Sequence, residues 1–197
     1  MDQNLSLWWG LSTTPLELLS FLLSLVTVVL NIRQVHWGWL FAILSSAMYG
    51  VVFFDAKLYG DSALQIVFIV VSVWGWAQWL KSSEQVPTIQ VSYLNMNQRI
   101  GAAAAWLAIF LLLYAFLHVV TDTDVAMADG FLTAGSLLGQ LLLSRKKVEN
   151  WYVWIIVDVL YVALYIHKNL MLTALLYAIF VVLAVIGARS WRKLCPT

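Results

Sequence analysis

The stretch NWYVWIIVDVLYVALY, residues Asn150–Tyr165, is almost continuously apolar and carries one acid, Asp158, in its middle. Residues three and four apart share one face of a helix. Stepping by three and four residues collects one carboxylate and four aromatic rings on a single face: Trp151, Trp154, Asp158, Tyr161 and Tyr165. The stretch therefore predicts a membrane-spanning helix with one polar, aromatic face.

The composition of the whole chain predicts a protein embedded in a lipid bilayer. Of its 197 residues, 62% are hydrophobic and 11% are charged, against about 25% charged residues in a soluble domain. The mean hydropathy is +0.86. A spanning helix needs roughly 20 mainly apolar residues, and we expect seven such helices, making an all-α integral membrane protein. They are Leu16–Ile32, Trp37–Phe54, Asp61–Leu80, Ile100–His118, Asp129–Leu143, Asn150–Ile166 and Asn169–Ala188.

Basic residues are distributed unevenly among the predicted loops. With seven spans, Lys57 and Lys168 lie on one side of the membrane. The other side receives Arg33, Lys81, Arg99, Arg145, Lys146, Lys147, Arg189, Arg192 and Lys193. Because basic loops stay in the cytoplasm, we expect an external N-terminus and a cytoplasmic C-terminus. Cys195 is the single cysteine, so no intrachain disulfide is expected.

The second half of the chain resembles the first half in one fixed register, without gaps. The register aligns Ser24 with Ser136, Arg33 with Arg145, Trp39 with Trp151, Tyr49 with Tyr161, Gly75 with Gly187 and Trp79 with Trp191. It relates helices one to three to helices five to seven, and the odd fourth helix makes the repeat parallel. Such a 3+1+3 repeat is typical of SWEET-like transporters, in which bundles rock around a central substrate. We therefore divide the chain into a first bundle (1–81), a loop with a linker helix (82–124) and a second bundle with its tail (125–197).

Asp158 is the strongest candidate for a site residue. It lies eight residues from each end of its predicted helix, or about 12 Å from each end and near the bilayer centre. A carboxylate at that depth costs at least roughly 2.5–3.5 kcal/mol and normally faces a cavity; a structural acid bonded to a neighbouring helix is the alternative. Trp154 and Tyr161 flank it too deeply for an interfacial belt, and ring faces attract cations by roughly 0.5–2 kcal/mol. The pattern predicts a substrate site for a flat aromatic cation.

Two further aromatic residues are candidates for the same site. Trp151 lies near the end of its helix, where an interfacial belt is an equally good interpretation. Tyr49 belongs to the face of the second helix that the repeat aligns with the Asp158 face, where Ser46 replaces the acid. The two halves are thus expected to be similar in shape and different in charge.

Polar residues within other spans allow two interpretations. Gln65 and Gln140 are buried amides that either bind ligand hydroxyl groups or hydrogen-bond between helices. Tyr177, the repeat counterpart of Gln65, is expected to form a further wall of the cavity. For the polar stripe of the first helix, close helix packing is the favoured interpretation: Glu17, Ser20, Ser24, Thr27 and Asn31.

Other classes of membrane protein find less support in the sequence. His36, His118 and His167 lie near predicted membrane edges and none has a second histidine at helical spacing, so no metal site is predicted. The chain has no G-x-S-x-G elbow and no phosphate-binding glycine loop. No cofactor and no nucleic-acid partner is predicted, and a membrane-embedded enzyme is the alternative from a different class.

Two segments carry distinctive motifs. YGDSALQIVFIVVSVWGWAQW, Tyr59–Trp79, starts with G-D-x-x-L-Q and ends with G-W-x-x-W. NWYVWIIVDVLYVALYIHKNLMLTALLYAIFVVLAVIGARSW, Asn150–Trp191, contains W-x-x-W, an acid, L-Y and a terminal G-x-x-x-W. Both resemble the corresponding segments of the PnuC family of vitamin transporters. The resemblance extends from about Glu17 to Trp191. It implies a SWEET-related seven-helix fold, usually trimeric, that takes up nicotinamide riboside by facilitated diffusion across bacterial inner membranes.

The resemblance agrees with the chemistry of the candidate site and leaves the vitamin open. Asp158, Trp154 and Tyr161 would receive the pyridinium cation, and Gln65 and Gln140 would bind polar groups. A cytosolic kinase would then trap the product by phosphorylation. Thiamine is also a flat cation and is the second candidate substrate, and neutral riboflavin is the third.

Overall fold

The described residues form seven helices and one short hairpin. The computed structural model describes residues 5–7, 11–13, 15–55, 59–81, 90–120, 125–167 and 171–195. The helices are α1 (Pro15–Ile32), α2 (Gly38–Asp55), α3 (Tyr59–Lys81), α4 (Met96–Val120), α5 (Ala126–Ser144), α6 (Glu149–His167) and α7 (Met171–Arg192). Ahead of them, β1 (Leu5–Leu7) and β2 (Leu11–Thr13) pair antiparallel with Ser6 opposite Ser12. The predicted seven-helix fold is confirmed, and the hairpin is an addition to it.

The helices have the lengths that a bilayer requires. In lipid, backbone polar groups must be satisfied within the segment, which favours helices. Among the described residues, five helices are long and apolar enough to cross a membrane, and the shorter apolar ones are Leu18–Ile32 and Gly38–Val52. With their flanking residues, α1 and α2 each contain 18 residues, or about 27 Å at 1.5 Å per residue. That is close to the roughly 30 Å of a hydrocarbon core.

Helix α4 begins four residues before the predicted Ile100 because a polar cap starts it. The Gln98 backbone N–H donates to Asn95 Oδ1 at 2.8 Å, and the Asn95 N–H donates to Gln98 Oε1 at 3.1 Å. This reciprocal capping box satisfies two N–H groups at the start of the helix. Apolar periodicity does not report such a cap, so hydropathy alone places the helix start too late.

The chain divides into two compact units, Met1–Thr88 and Ile89–Thr197. In the first, α2 packs against both α1 and α3. In the second, α6 packs against α5 and α7, and α4 packs along α5. The predicted division at 1–81, 82–124 and 125–197 stays a prediction, and Lys57 and Lys168 lie outside the described residues.

The turn that ends the first helix of each bundle is duplicated in detail. Gln34 and its repeat counterpart Lys146 have φ angles of 56° and 50°. The Val35 N–H donates to the Leu30 carbonyl at 2.9 Å, and the counterpart residues Lys147 and Leu142 make the same bond at 3.0 Å. A left-handed residue followed by such a bond is a Schellman C-cap. The shared backbone conformation supports the repeat independently of side-chain matches.

Each bundle also packs one tryptophan against one glycine. In the first unit, Trp39 is completely buried, and a Cβ added to Gly75 would lie 2.5 Å from its ring. Trp79 meets the Trp39 ring edge-on, at 5.5 Å between centroids and 88° between planes. A side chain at position 75 would thus displace the indole that fills the bundle.

The second unit repeats this arrangement with the counterpart residues. A Cβ on Gly187 would lie 2.7 Å from three ring atoms of Trp151, which is 2% exposed. Trp151 and Trp191 meet at 5.4 Å and 90°. The glycine and tryptophan matches of the sequence repeat therefore reflect one packing contact made twice.

The polar stripe of α1 makes hydrogen bonds of the kind that close helix packing produces. Ser24 Oγ lies 2.7 Å from Ser45 Oγ of α2, and Ser45 Oγ donates to the Ser20 carbonyl at 3.2 Å. Thr27 Oγ1 donates to the Leu23 carbonyl of its own helix at 2.9 Å. The packing interpretation is confirmed for Ser24, while the side chain of Glu17 lies outside the described residues.

Candidate functional site

Asp158 lies at the midpoint of α6 and its side chain is buried. It is 3% exposed and follows Val157, which is completely buried in the core of the second unit. The midpoint of this 19-residue helix is about 14 Å from either end. An ionisable group at such depth in a bilayer needs a functional or structural reason. Helix geometry thus places the acid where a midplane substrate site would lie.

Trp154, one turn before Asp158, occupies a notch in α5. A Cβ added to Gly139 would lie 2.9 Å from Cε2 and 3.1 Å from Nε1 of the Trp154 indole. The next residue of α5, Gln140, is 9% exposed and has an interaction partner within the protein. Trp154 and Gly139 therefore meet one turn before Asp158, and Gln140 occupies the next position of α5.

One turn beyond Asp158, three tyrosines form a cluster between α6 and α7. The rings of Tyr161 and Tyr177 lie 4.6 Å apart, and those of Tyr165 and Tyr177 lie 5.2 Å apart. Tyr161 and Tyr165 stack at 5.6 Å with 15° between their planes. The structure thus brings together Tyr161 and Tyr165, which were predicted on one face of α6, and Tyr177, which was predicted from α7.

The aromatic stripe of α6 is divided between two neighbouring helices. Trp151 lies against Gly187 of α7, whereas Trp154 lies against Gly139 of α5. Trp151 is buried within its bundle, at a position that the first unit fills with an equivalent tryptophan. Its role as a binding residue stays a prediction, and its contacts in the structure are those of helix packing.

The two predicted residues of the first unit lie on neighbouring helices. Gly50, directly after Tyr49 in α2, would place a Cβ 3.5 Å from Cβ of Gln65 in α3. Ser62 Oγ donates to the Gly50 carbonyl at 2.9 Å, which fixes the same crossing. Tyr49 has an interaction partner in the protein. Tyr49 and Gln65 therefore flank one contact between α2 and α3.

Glycine notches in α5 are the feature that sequence reasoning missed. Gly135 and Gly139 form a G-x-x-x-G pattern, a known signal for close helix approach in membranes. A Cβ on Gly135 would lie 2.6 Å from Val157 and from the Trp106 ring. The notches determine how close α6 lies to α5 and hence where Trp154 and Asp158 are held. Among the described residues, no three His, Cys, Asp or Glu side chains assemble as metal ligands.

A multi-pass helical protein with an acid and aromatic rings at the middle of one span has the architecture of a membrane transporter for a small polar molecule. A family model described as "Nicotinamide mononucleotide transporter" matches residues 14–193. The chain belongs to this family of membrane transporters, and the resemblance to PnuC that the motifs predicted is confirmed.

Relatives and a solved structure agree with that assignment. The nicotinamide riboside transporter PnuC of Escherichia coli is 24% identical over 183 residues, which cover 78% of this chain and 75% of PnuC. The riboflavin/roseoflavin transporter RibM of Streptomyces davaonensis is 27% identical over 184 residues, covering 89% and 83% of the two chains. The crystal structure of the vitamin B3 transporter PnuC matches with a TM-score of 0.74 and 24% identity, over 91% of this chain and 81% of that one. This last similarity shows a shared fold.

Proposed function

We propose that the chain carries nicotinamide riboside across a bacterial inner membrane by facilitated diffusion. The observation that carries the proposal is Asp158, which is 3% exposed at the midpoint of α6, one turn from the indole of Trp154. Nicotinamide riboside has a flat pyridinium cation, a primary amide and a ribose. A buried carboxylate beside aromatic rings suits the cation through an ion pair and ring-face attraction.

The remaining predicted residues would serve the other parts of the substrate. Tyr161 and Tyr177 would line the cavity next to the acid, and Gln140 would bind amide or hydroxyl groups. In the first bundle, Tyr49 and Gln65 would do the same. Rocking of one three-helix bundle against the other, as in SWEET-like transporters, would expose the substrate to each side in turn.

Direction, trapping and assembly complete the proposal. The nine-to-two bias of basic residues supports an external N-terminus and a cytoplasmic C-terminus. Without ion coupling, net uptake requires that the product be removed, which a cytosolic kinase would do by phosphorylation. A homotrimer in the lipid bilayer is the expected assembly. The family and the relatives named above are described as transporters, which supports this class over a membrane-embedded enzyme.

Two alternative substrates remain for the same mechanism. Thiamine is a flat aromatic cation, so the Asp158 site would suit it equally well. Riboflavin is supported by a different observation, the similarity to RibM at 27% identity, although a buried acid gives a neutral ring system no advantage. Family and relatives carry different substrate names, so binding has to be measured.

The test is calorimetric titration of the purified protein with nicotinamide riboside, thiamine and riboflavin in parallel. Asp158→Asn keeps the shape of the side chain and removes its charge. We expect it to weaken binding of the cationic substrate by roughly ten- to a hundredfold, the loss expected when one charged contact of about 1.5–3 kcal/mol is removed. Asp129→Asn is the matched control, because it removes a carboxylate from the first turn of α5, at the end of a helix and not at its midpoint.

The three titrations separate the candidates. Binding of nicotinamide riboside that is weakened by Asp158→Asn and unaffected by Asp129→Asn supports the proposal. Thiamine binding with the same dependence on Asp158 changes the vitamin and keeps the site. Riboflavin binding that is indifferent to Asp158→Asn would refute the role of the acid.

A further inference from the structure

Helix α4 is attached to the second unit although it has no buried residue of its own. Its contacts with α5 are short. A Cβ on Gly130 would lie 3.1 Å from the backbone nitrogen of Tyr114, and Trp106 Nε1 donates to the Phe131 carbonyl at 3.0 Å. These contacts join the middle and the C-terminal half of α4 to the first half of α5. The N-terminal end of α4 is held differently, by charge.

Glu149, the first residue of α6, binds the start of α4. Both of its carboxylate oxygens lie 3.1 Å from the backbone nitrogen of Leu94. Arg99 approaches the same carboxylate, with Nε at 3.2 Å and Nη2 at 3.1 Å from Oε1. The Glu149 side chain is 14% exposed and that of Arg99 is 49% exposed. Charge-assisted bonds to a mostly buried carboxylate are among the stronger polar contacts in proteins.

The residues beside Glu149 reinforce this attachment through the backbone. The Ser92 N–H donates to the Lys146 carbonyl at 3.2 Å, and the Val148 N–H donates to the Ser92 carbonyl at 3.1 Å. Lys147 Nζ donates to Ser92 Oγ at 2.9 Å. Val148 is completely buried. We call the set formed by Ser92, Leu94, Arg99 and Lys146–Glu149 the α4 clamp.

Within the described residues, the first bundle makes the same turn without a clamp. The repeat counterpart of Glu149 is Trp37, which is 51% exposed and lies 5.1 Å from the His36 ring and 5.9 Å from the Trp76 ring. The turn after α1 has the same Schellman geometry as the turn after α5. Glu149 is therefore not required by the turn itself, and its hydrogen bonds in the described part of the chain are made with Leu94 and Arg99 at the start of the linker helix.

We propose that Glu149 is a positioning residue for transport, which holds α4 on the second bundle so that α4 to α7 move as one body. The inference rests on the proposed transport function. If the N-terminus of α4 were loose, α4 would move independently of α5 to α7 during the conformational change. The change would then be slower. Substrate binding within the bundles would be unaffected, because the clamp lies at the end of α6 and Asp158 at its midpoint.

The test separates rate from affinity in proteoliposomes that contain the full chain. Glu149→Gln keeps an acceptor for Leu94 and removes the ion pair, whereas Arg99→Gln leaves α6 unchanged. We expect the maximal rate of nicotinamide riboside uptake to fall by roughly two- to thirtyfold, the range for mutations that weaken coupling between sites. The dissociation constant should stay within about twofold, which marks a loss of rate without loss of binding. Lys193→Gln, at an exposed position of the same unit, removes one positive charge as Arg99→Gln does and is the charge-matched control for that variant.

A covalent tether tests whether Glu149 acts by holding α4. Ser92 and Lys147 pair as a parallel bridge, so their Cα atoms lie within the roughly 4.4–6.8 Å that a disulfide spans. Ser92→Cys and Lys147→Cys are introduced into Glu149→Gln together with Cys195→Ser. Oxidation should restore the uptake rate and reduction should abolish the gain in the same sample. Oxidised protein that stays slow, or a dissociation constant that rises in step with the loss of rate, would overturn the proposal.

Hydrogen exchange keeps the clamp testable without transport. Amides of residues 92–100 should exchange faster in Glu149→Gln than in wild type and should be unchanged in Lys193→Gln. If wild-type protein takes up no nicotinamide riboside, the proposed function fails while this measurement still decides on the clamp. Unchanged hydrogen exchange together with an unchanged uptake rate in Glu149→Gln would refute the role of the clamp.

Discussion

Replacing Gly187 with alanine tests the packing contact that defines both bundles. The new Cβ would lie 2.7 Å from three ring atoms of Trp151, a separation that real Cβ atoms do not adopt. Trp151 is 2% exposed and in edge contact with Trp191, which is completely buried. The indole therefore has no open space into which it can move, and the bundle must expand.

The magnitude follows from two opposing terms. Forcing an extra carbon into a filled core costs about 1–3 kcal/mol, and so short a contact with a buried ring lies at the upper end of that range. Removing a helical glycine returns up to about 1 kcal/mol. A net loss of about 1–2 kcal/mol lowers the melting temperature of a protein of this size by roughly 2–8 °C. Thermal unfolding of the detergent-solubilised protein measures it.

Two controls decide whether the contact is the cause. A Cβ at Gly101 of α4 would meet none of the described residues within 4 Å, so Gly101→Ala should raise the melting temperature by a few degrees. Trp151→Phe replaces the indole with a smaller ring and makes room for the new Cβ. The double variant with Gly187→Ala should therefore be more stable than the sum of the two single losses of stability predicts. A Gly187→Ala protein as stable as Gly101→Ala, or strictly additive losses, would refute the reasoning.

Two further predictions use the same structure. Gly139→Ala places a carbon 2.9 Å from Trp154, so it should weaken substrate binding in calorimetry. Gly50→Ala, whose new carbon has its nearest neighbour at 3.5 Å, should leave binding unchanged. Equal affinity in both variants would contradict the role of Gly139 in positioning Trp154. Gln34→Gly and Lys146→Gly relieve left-handed backbone at equivalent C-caps, so each should stabilise the protein by up to about 1 kcal/mol in thermal unfolding, and a loss in both would contradict the cap assignment. Burial also lowers the pKa of Lys146, so folding disfavours its charged form. At pH values below that pKa, Lys146→Gly should therefore stabilise the protein more than Gln34→Gly does.

The sequence predicts the helices and the repeat well because both depend on local composition. Apolar length predicts each span, and Trp39, Gly75 and their repeat counterparts mark one packing contact. Helical spacing fails to predict contacts that depend on which neighbouring helix lies close. Spacing places Trp151 and Trp154 on one face of α6, but the glycines of two different helices take up their rings. The spacing of residues along one helix shows which side chains share a face. It does not show which neighbouring helix packs against that face.

The clamp shows the same limit at longer range. Glu149 and Arg99 are 50 residues apart in sequence, and the repeat aligns Glu149 with Trp37, so self-comparison treats the acid as a mismatch. Their pairing depends on the capping box that starts α4 before its apolar run. Polar contacts between loops of different segments have no periodic signature, so only the folded chain brings them together.

The mismatches of the repeat are as informative as its matches. The matched residues, tryptophan on glycine and the two Schellman turns, build the scaffold in both units. Three of the exchanges bring chemistry to the second unit: Asp158 stands where the first has Ser46, Trp154 where it has Ala42, and Glu149 where it has Trp37. A symmetric scaffold needs none of these exchanges for stability, since the first unit folds without them. We infer that they serve an asymmetric ligand and an asymmetric linker, so the second bundle would bind the charged end of the substrate and carry α4 with it.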